Sequence, residues 1–309
     1  IALPGGCSIG TRGIDLHLEA LKLMGVKISI RNGYVKAERK SLKLFAIKHK
    51  FSKISVGATQ NILMAACLAK GKSILKNCAI EPEVIDLINF LNNCGAKIKL
   101  DKRIITVDGV DNLTLSNHEI IPDRVEAGSY ILATMASKGK VIFNNLKLED
   151  LKFPLEIYKS MGLKIKKLSD SSYQFSCNKL NMVKKISTKE YPGYPTDLQA
   201  QVIATLLKIA KKSKVTENIF ENRFIHIPEL RRFGANLKIK DKTVEIQKVN
   251  DLYGAEVMAT DIRASFSLII AAIMSKGTTV INRVYHLDRG YEDFDLKLKK
   301  CGVNIKRKK

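Results

Sequence analysis

Five times along the chain an apolar residue is followed by glycine and then by a short run in which Lys or Asn alternates with aliphatic positions. The copies are Met24-Gly25-Val26-Lys27-Ile28, Cys94-Gly95-Ala96-Lys97-Ile98, Met161-Gly162-Leu163-Lys164-Ile165, Phe233-Gly234-Ala235-Asn236-Leu237 and Cys301-Gly302-Val303-Asn304-Ile305. The two-residue period predicts a strand with one buried face. The glycine ahead of it predicts the end of a helix, where a left-handed backbone suits a residue without a side chain. Successive glycines are 70, 67, 72 and 68 residues apart, the regularity of an internal repeat.

Each copy reads alike: a polar opening, an apolar helix, a strand after a Gly-Lys or similar turn, a second helix ending at the repeat glycine, then a strand pair. In the clearest copy the helices are expected over 58–69 and 83–93, with a strand over 72–75 between them. The unit is a βαβαββ module. Four openings are complete: Ser55-Val56-Gly57-Ala58, Asp123-Arg124-Val125-Glu126-Ala127, Asp197-Leu198-Gln199-Ala200 and Asp261-Ile262-Arg263-Ala264. The first copy has only its second half, about 4–38. Modules packed with helices inward and sheets outward predict an α/β chain of two domains, 1–121 and 122–309, each an inside-out α/β barrel, the second holding three modules. A sixth module is expected to be missing before Ile1, so that the chain reads as a partial frame.

The length of 309 residues agrees with two domains. No run of eighteen apolar residues predicts a membrane span, and no leader is evident. The formal charge of +23 invites a nucleic-acid reading. The Lys residues are scattered rather than gathered in a stripe, however, and no aromatic platform interleaves them. Lys outnumbers Arg roughly three to one and Trp is absent, as A+T-rich coding produces, so no nucleic-acid partner is expected. Six cysteines without paired spacing predict neither zinc nor a disulfide framework but a reduced, cytoplasmic setting. No two histidines have metal-ligand spacing, and neither metal nor cofactor is expected.

The segments 4–17 (PGGCSIGTRGIDLH), 53–58 (KISVGA), 81–83 (EPE), 122–124 (PDR), 194–201 (YPTDLQAQ), 221–224 (ENRF), 228–230 (PEL), 258–265 (MATDIRAS) and 285–292 (YHLDRGYE) together resemble the UDP-N-acetylglucosamine 1-carboxyvinyltransferases of the enolpyruvyl transferase family. They occur in family order across the whole chain. The resemblance implies two inside-out α/β domains with the active site in the cleft between them. It implies transfer of the enolpyruvyl group of phosphoenolpyruvate to the 3′-hydroxyl of UDP-N-acetylglucosamine with release of phosphate, through a tetrahedral intermediate. That is the first committed step of peptidoglycan synthesis, and hence of cell-wall formation, cell shape and division. The enzyme is expected to be monomeric.

Cys7 lies between glycines with Arg12 five residues on, a setting that lowers a thiol pKa. In the family this cysteine donates a proton and can be trapped as a phosphoenolpyruvate adduct. The resemblance gives the UDP-sugar to Arg12, Gly13, Ile14, Asp15 and Leu16, with His17 beside them, and its diphosphate to Lys53, Ile54, Ser55, Val56 and Gly57. By local sequence alone, Ser55 is as well read as a helix N-cap. Asp197 also has the local sequence of a cap; the resemblance makes it the ligand of the sugar hydroxyl and the general base. Asp261 is its repeat partner. Arg289 resembles the phosphate-binding arginine, Ile219 a backbone contact to the uridine end, and Arg124, Arg223 and Arg263 members of an electropositive lining or of domain-closing contacts.

Two departures stand out: Gly13 where Pro is usual, and Ile80 where Arg commonly precedes Glu-Pro-Glu. A family Lys-Asn pair and a further arginine have no counterpart in this sequence. Two other readings therefore compete: an inactive remnant that binds the UDP-sugar weakly at most, and the sister enzyme that acts on shikimate 3-phosphate, which lacks the Cys7 loop and the ENRF and YHLDRGYE phrases.

Overall fold

A computed structural model describes residues 1–3, 13–39, 41–209 and 212–308. Cys7 and Arg12 lie outside the described residues. The described chain divides into two compact units, one ending at Ile121 and the other beginning at Pro122.

In the first unit, α1 (Asp15–Leu23) leads into the hairpin β1 (Val26–Arg31) and β2 (Tyr34–Arg39), the half module expected there. A complete module follows: β3 (Lys48–Lys50), α2 (Val56–Cys67), β4 (Lys72–Lys76), α3 (Pro82–Asn93), β5 (Lys97–Asp101) and β6 (Ile104–Asp108). Its sheet runs β3-β4-β6-β5, with β3 parallel to β4 and the other pairs antiparallel. Helix α2 begins two residues before the expected start because the Ser55 hydroxyl accepts from the Ala58 N–H at 3.3 Å, satisfying a donor the helix leaves open.

The second unit repeats the plan. Its first module has α4 (Arg124–Ala136), β7 (Lys140–Phe143), α5 (Lys152–Ser160), β8 (Lys164–Lys167) and β9 (Tyr173–Ser176) in a sheet ordered β7-β9-β8, without an opening strand among the described residues. The next is complete: β10 (Lys185–Ser187), α6 (Gln199–Thr205), β11 (Ser213–Thr216), α7 (Ile227–Arg232), β12 (Asn236–Lys240) and β13 (Thr243–Gln247), ordered β10-β11-β13-β12. The last has the parallel pair β14 (Glu256–Met258) and β15 (Val280–Asn282) with α8 (Ser265–Met274), α9 (Tyr285–Asp288) and α10 (Phe294–Lys300), and no closing hairpin among the described residues. All five repeat glycines have φ between +88° and +105°, which accounts for their recurrence at helix ends.

The expected inward helices are found. Every residue of α6 is buried, as are ten of the thirteen in α4, and α4, α6 and α8 pack against one another. A helix buried on all sides belongs in a core. The strands expose one face: β12 reads exposed–buried–exposed at Asn236, Leu237 and Lys238, which puts Asn236, at the Lys position of the repeat phrase, in solvent. The sheets are open, and no closed barrel is found among the described residues.

Candidate active site

In the second unit the three openings Asp123, Asp197 and Asp261 stand where α4, α6 and α8 begin, and the packing of those helices brings their neighbours together. Asp123 caps α4, its Oδ1 accepting from the N–H groups of Val125 and Glu126 at 2.8 and 3.0 Å. Its Oδ2 accepts from Arg263 Nη2 at 3.1 Å. The Arg263 guanidinium also donates to the Gly290 carbonyl at 3.0 Å and lies 5.4 Å from the Tyr291 ring centroid. Asp261 is 5% exposed; its Oδ1 accepts from the Arg263 and Ala264 N–H groups at 2.9 and 2.8 Å. Its Oδ2 is buried and has no hydrogen-bond partner among the described residues.

Asp197 sits in a 3-10 turn over Thr196–Leu198. Its Oδ1 accepts from Arg223 Nη2 at 2.6 Å, a charge-assisted contact. The pair is asymmetric: the Arg223 side chain is 4% exposed and the Asp197 side chain 42%. Arg223 is further held over the Phe220 ring at 5.1 Å. It is thus a buried partner of one carboxylate, not a member of an open cationic lining. Next to it, His226 is fully buried, and burial, then the Arg223 charge, push its pKa down to about 3, so the ring is neutral.

A polar cluster ties these openings to the core. Gln201 Nε2 donates to the Asp197 carbonyl at 2.9 Å, to Ser129 Oγ at 3.0 Å and to the Tyr291 hydroxyl at 3.2 Å, while Ser129 and Tyr291 meet at 2.8 Å. Burial raises the Tyr291 hydroxyl to about 12. Arg289 is exposed, and its side chain makes no hydrogen bond or ion pair among the described residues. It lies near His286, whose pKa is lowered by burial first and then by Arg283 and Arg289. Arg124 lies 5.7 Å from the Tyr191 ring centroid. The Ile219 N–H donates to Glu217 Oε1 at 2.8 Å.

In the first unit α1 packs on α2, which brings His17 to the start of α2: a Cβ added to Gly57 would lie 3.5 Å from the His17 ring. Lys53 is exposed and Ile54, Ser55 and Val56 are half-buried. The Leu16 side chain is 3% exposed and belongs to the core, so only its backbone is available to a ligand. At Gly13 an added Cβ would come within 2.6 Å of Asp15 Oδ1, and a rotamer change at Asp15 would relieve that contact.

Asp123, Glu217, Gln201 and Tyr291 were not singled out as site residues. Asp123 was detectable, since it shares the repeat register of Asp197 and Asp261. The others act through partners distant in sequence, which no local pattern announces.

Residues 1–298 match the family model described as EPSP synthase (3-phosphoshikimate 1-carboxyvinyltransferase). A protein of Pelagibacter ubique named UDP-N-acetylglucosamine 1-carboxyvinyltransferase is 47% identical over 99% of this chain and 73% of its own length. The protein of that name from Novosphingobium aromaticivorans is 45% identical over 99% and 72%. The chain belongs to the enolpyruvyl transferase family. Solved family structures agree in fold. The enolpyruvyl transferase NikO from Streptomyces tendae superposes with a TM-score of 0.84 at 20% identity, over 95% of this chain and 72% of that one. EPSP synthase from Acinetobacter baumannii gives 0.73 at 15% identity, over 96% and 72%. Among the described residues no His, Cys, Asp and Glu cluster could hold a metal ion, and no helix is long and apolar enough to cross a membrane.

Proposed function

We propose that the chain transfers the enolpyruvyl group of phosphoenolpyruvate to the 3′-hydroxyl of UDP-N-acetylglucosamine and releases phosphate. The observation that carries this reading is the meeting of two family phrases, YPTDLQAQ and ENRF, in the Asp197–Arg223 contact of 2.6 Å. Sequence identity to relatives named for this reaction supports it. Arg223 occupies one oxygen of Asp197. The other makes no hydrogen bond among the described residues and can take the proton of a sugar hydroxyl as that oxygen attacks C2 of phosphoenolpyruvate. Cys7 is assigned the proton that goes to the methylene carbon, and exposed Arg289 the phosphate. Loss of a methyl proton and of phosphate from the tetrahedral adduct then restores the double bond.

Residues 12–17 and 53–57, Asp261 and the backbone of Ile219 are assigned to the UDP-sugar, and Arg124 and Arg263 to the cationic surroundings. We place the reaction in the cytoplasm, as the entry to peptidoglycan synthesis, in a monomeric protein. An assay of phosphate release from phosphoenolpyruvate with each acceptor tests the substrate. Release with UDP-N-acetylglucosamine and none with shikimate 3-phosphate is expected; the reverse overturns the assignment, and no release with either acceptor favours the inactive reading. Separately, the epoxide fosfomycin is expected to alkylate Cys7, and a Cys7 peptide left unmodified contradicts its role.

A further inference from the structure

Glu217, just after β11, is 1% exposed, yet the donors on its carboxylate are all neutral. Oε1 accepts from the Thr188 hydroxyl at 3.0 Å, the Ile219 N–H at 2.8 Å and the Phe220 N–H at 3.2 Å. Oε2 accepts from the Thr196 hydroxyl at 2.8 Å. A buried carboxylate is costly unless its lone pairs are satisfied, and an ionised one can accept four bonds where an amide oxygen accepts about two.

The donors come from three separate segments: the residue after β10, the turn that carries Asp197, and the loop that leads to Arg223. Thr188 extends the cluster, its hydroxyl accepting from the Asn218 N–H at 2.8 Å and its carbonyl from Asn218 Nδ2 at 2.9 Å. One carboxylate therefore fixes the residue immediately before Asp197 and the backbone on the way to Arg223, the two members of the ion pair.

We infer that Glu217 is a positioning residue of this active site, setting the Asp197 carboxylate through the Thr196 hydroxyl without touching substrate. The inference rests on Asp197 acting as the base, as proposed above. Thr196→Val tests the link most narrowly, because it deletes one hydroxyl and keeps both the side-chain shape and the Glu217 bonds to residues 188, 219 and 220. Thr196→Ser restores the hydroxyl. Glu217→Gln keeps an acceptor for the loop and turns a charge-assisted cluster into a neutral one.

Thr196→Val is expected to lower kcat about tenfold, with KM for the UDP-sugar changed by less than about threefold. Thr196→Ser is expected within about twofold of the parent, and Glu217→Gln to lower kcat in the same sense as Thr196→Val. Asp197→Asn, measured beside them, is expected to lose about a hundredfold or more. If Asp197→Asn is inactive while Thr196→Val and Glu217→Gln turn over like the parent, the positioning role is wrong and the base assignment stands. A loss in Thr196→Val that Thr196→Ser does not rescue marks a packing effect and also overturns the inference. If Asp197→Asn keeps the parent kcat, the base reading fails and the inference fails with it.

Discussion

The unequal burial of Asp197 and Arg223 makes their ion pair respond differently to loss of either member. Asp197→Ala strands a guanidinium whose side chain is 4% exposed, whereas Arg223→Met strands a carboxylate that is 42% exposed and open to water. Breaking a buried pair by removing one partner costs about 3–5 kcal/mol when the remaining charge is shielded from solvent. The Phe220 ring, 5.1 Å from the guanidinium, offsets a little of that, so about 3 kcal/mol is expected for Asp197→Ala. A carboxylate that regains hydration behaves like half of a surface pair, and Met retains the packing on Phe220; about 1 kcal/mol is expected for Arg223→Met. Asp197→Asn keeps an acceptor oxygen and falls between them.

For a unit of this size each kcal/mol moves the unfolding midpoint by about 2–4 °C. The expected falls are thus about 6–12 °C for Asp197→Ala and about 2–4 °C for Arg223→Met. Urea titrations of the parent and the three variants, followed by circular dichroism, give the free energies. Both end variants impair turnover if Asp197 is the base, so stability separates them where activity does not. Arg223→Met proving as destabilising as Asp197→Ala would refute the reasoning from burial.

His226 makes the fold acid-sensitive. The unfolded chain protonates this histidine near pH 6.5 and the folded chain only near pH 3, so stability is full above pH 6.5 and falls as the pH drops towards 3. Between pH 7.5 and 5.0 the loss is about 2 kcal/mol; unfolding at both pH values measures it, and an unchanged loss in His226→Phe would contradict the cause. Alanine at the repeat glycines should discriminate sharply. At Gly162 the new Cβ meets the Lys179 carbonyl oxygen at 2.3 Å, while at Gly234 its nearest neighbour is 4.0 Å away. Gly234→Ala should cost about 1 kcal/mol for its positive φ and Gly162→Ala clearly more, and equal midpoints would count against the geometry. Burial raises the Cys67 and Cys78 thiols to about 11 and about 12, whereas Cys301 is exposed. Peptide mapping after iodoacetamide at neutral pH should find Cys301 modified and the other two intact; labelling of Cys67 or Cys78 at the rate of Cys301 would disprove their burial.

The module was legible because its punctuation is local. A glycine that must adopt positive φ at each helix end fixes the period, and alternating Lys and aliphatic residues fix the strand after it. The strand expected over 72–75 is β4, Lys72–Lys76, and the helix expected over 83–93 is α3, Pro82–Asn93, with Pro at its start. A repeat phrase says nothing about sheet closure, and the strands form separate open sheets. Within the candidate site, the residues marked by phrases were readable one at a time, but their pairing was not. The Arg263–Asp123 contact spans 140 positions, and the Glu217 cluster joins segments that meet only when β10 and β11 pair. Ser55 shows the limit of local reading from the other side: the same hydroxyl satisfies the rules for a cap and for an anion contact, and in the fold it caps α2.

The most direct test of enolpyruvyl transfer is the product itself. Incubating the chain with phosphoenolpyruvate and UDP-N-acetylglucosamine, with mass spectrometry and a phosphate assay on the same sample, should show a UDP-sugar carrying one enolpyruvyl group and an equal amount of phosphate. Phosphate formed without that product, or an unchanged UDP-sugar alongside intact phosphoenolpyruvate, would contradict the account.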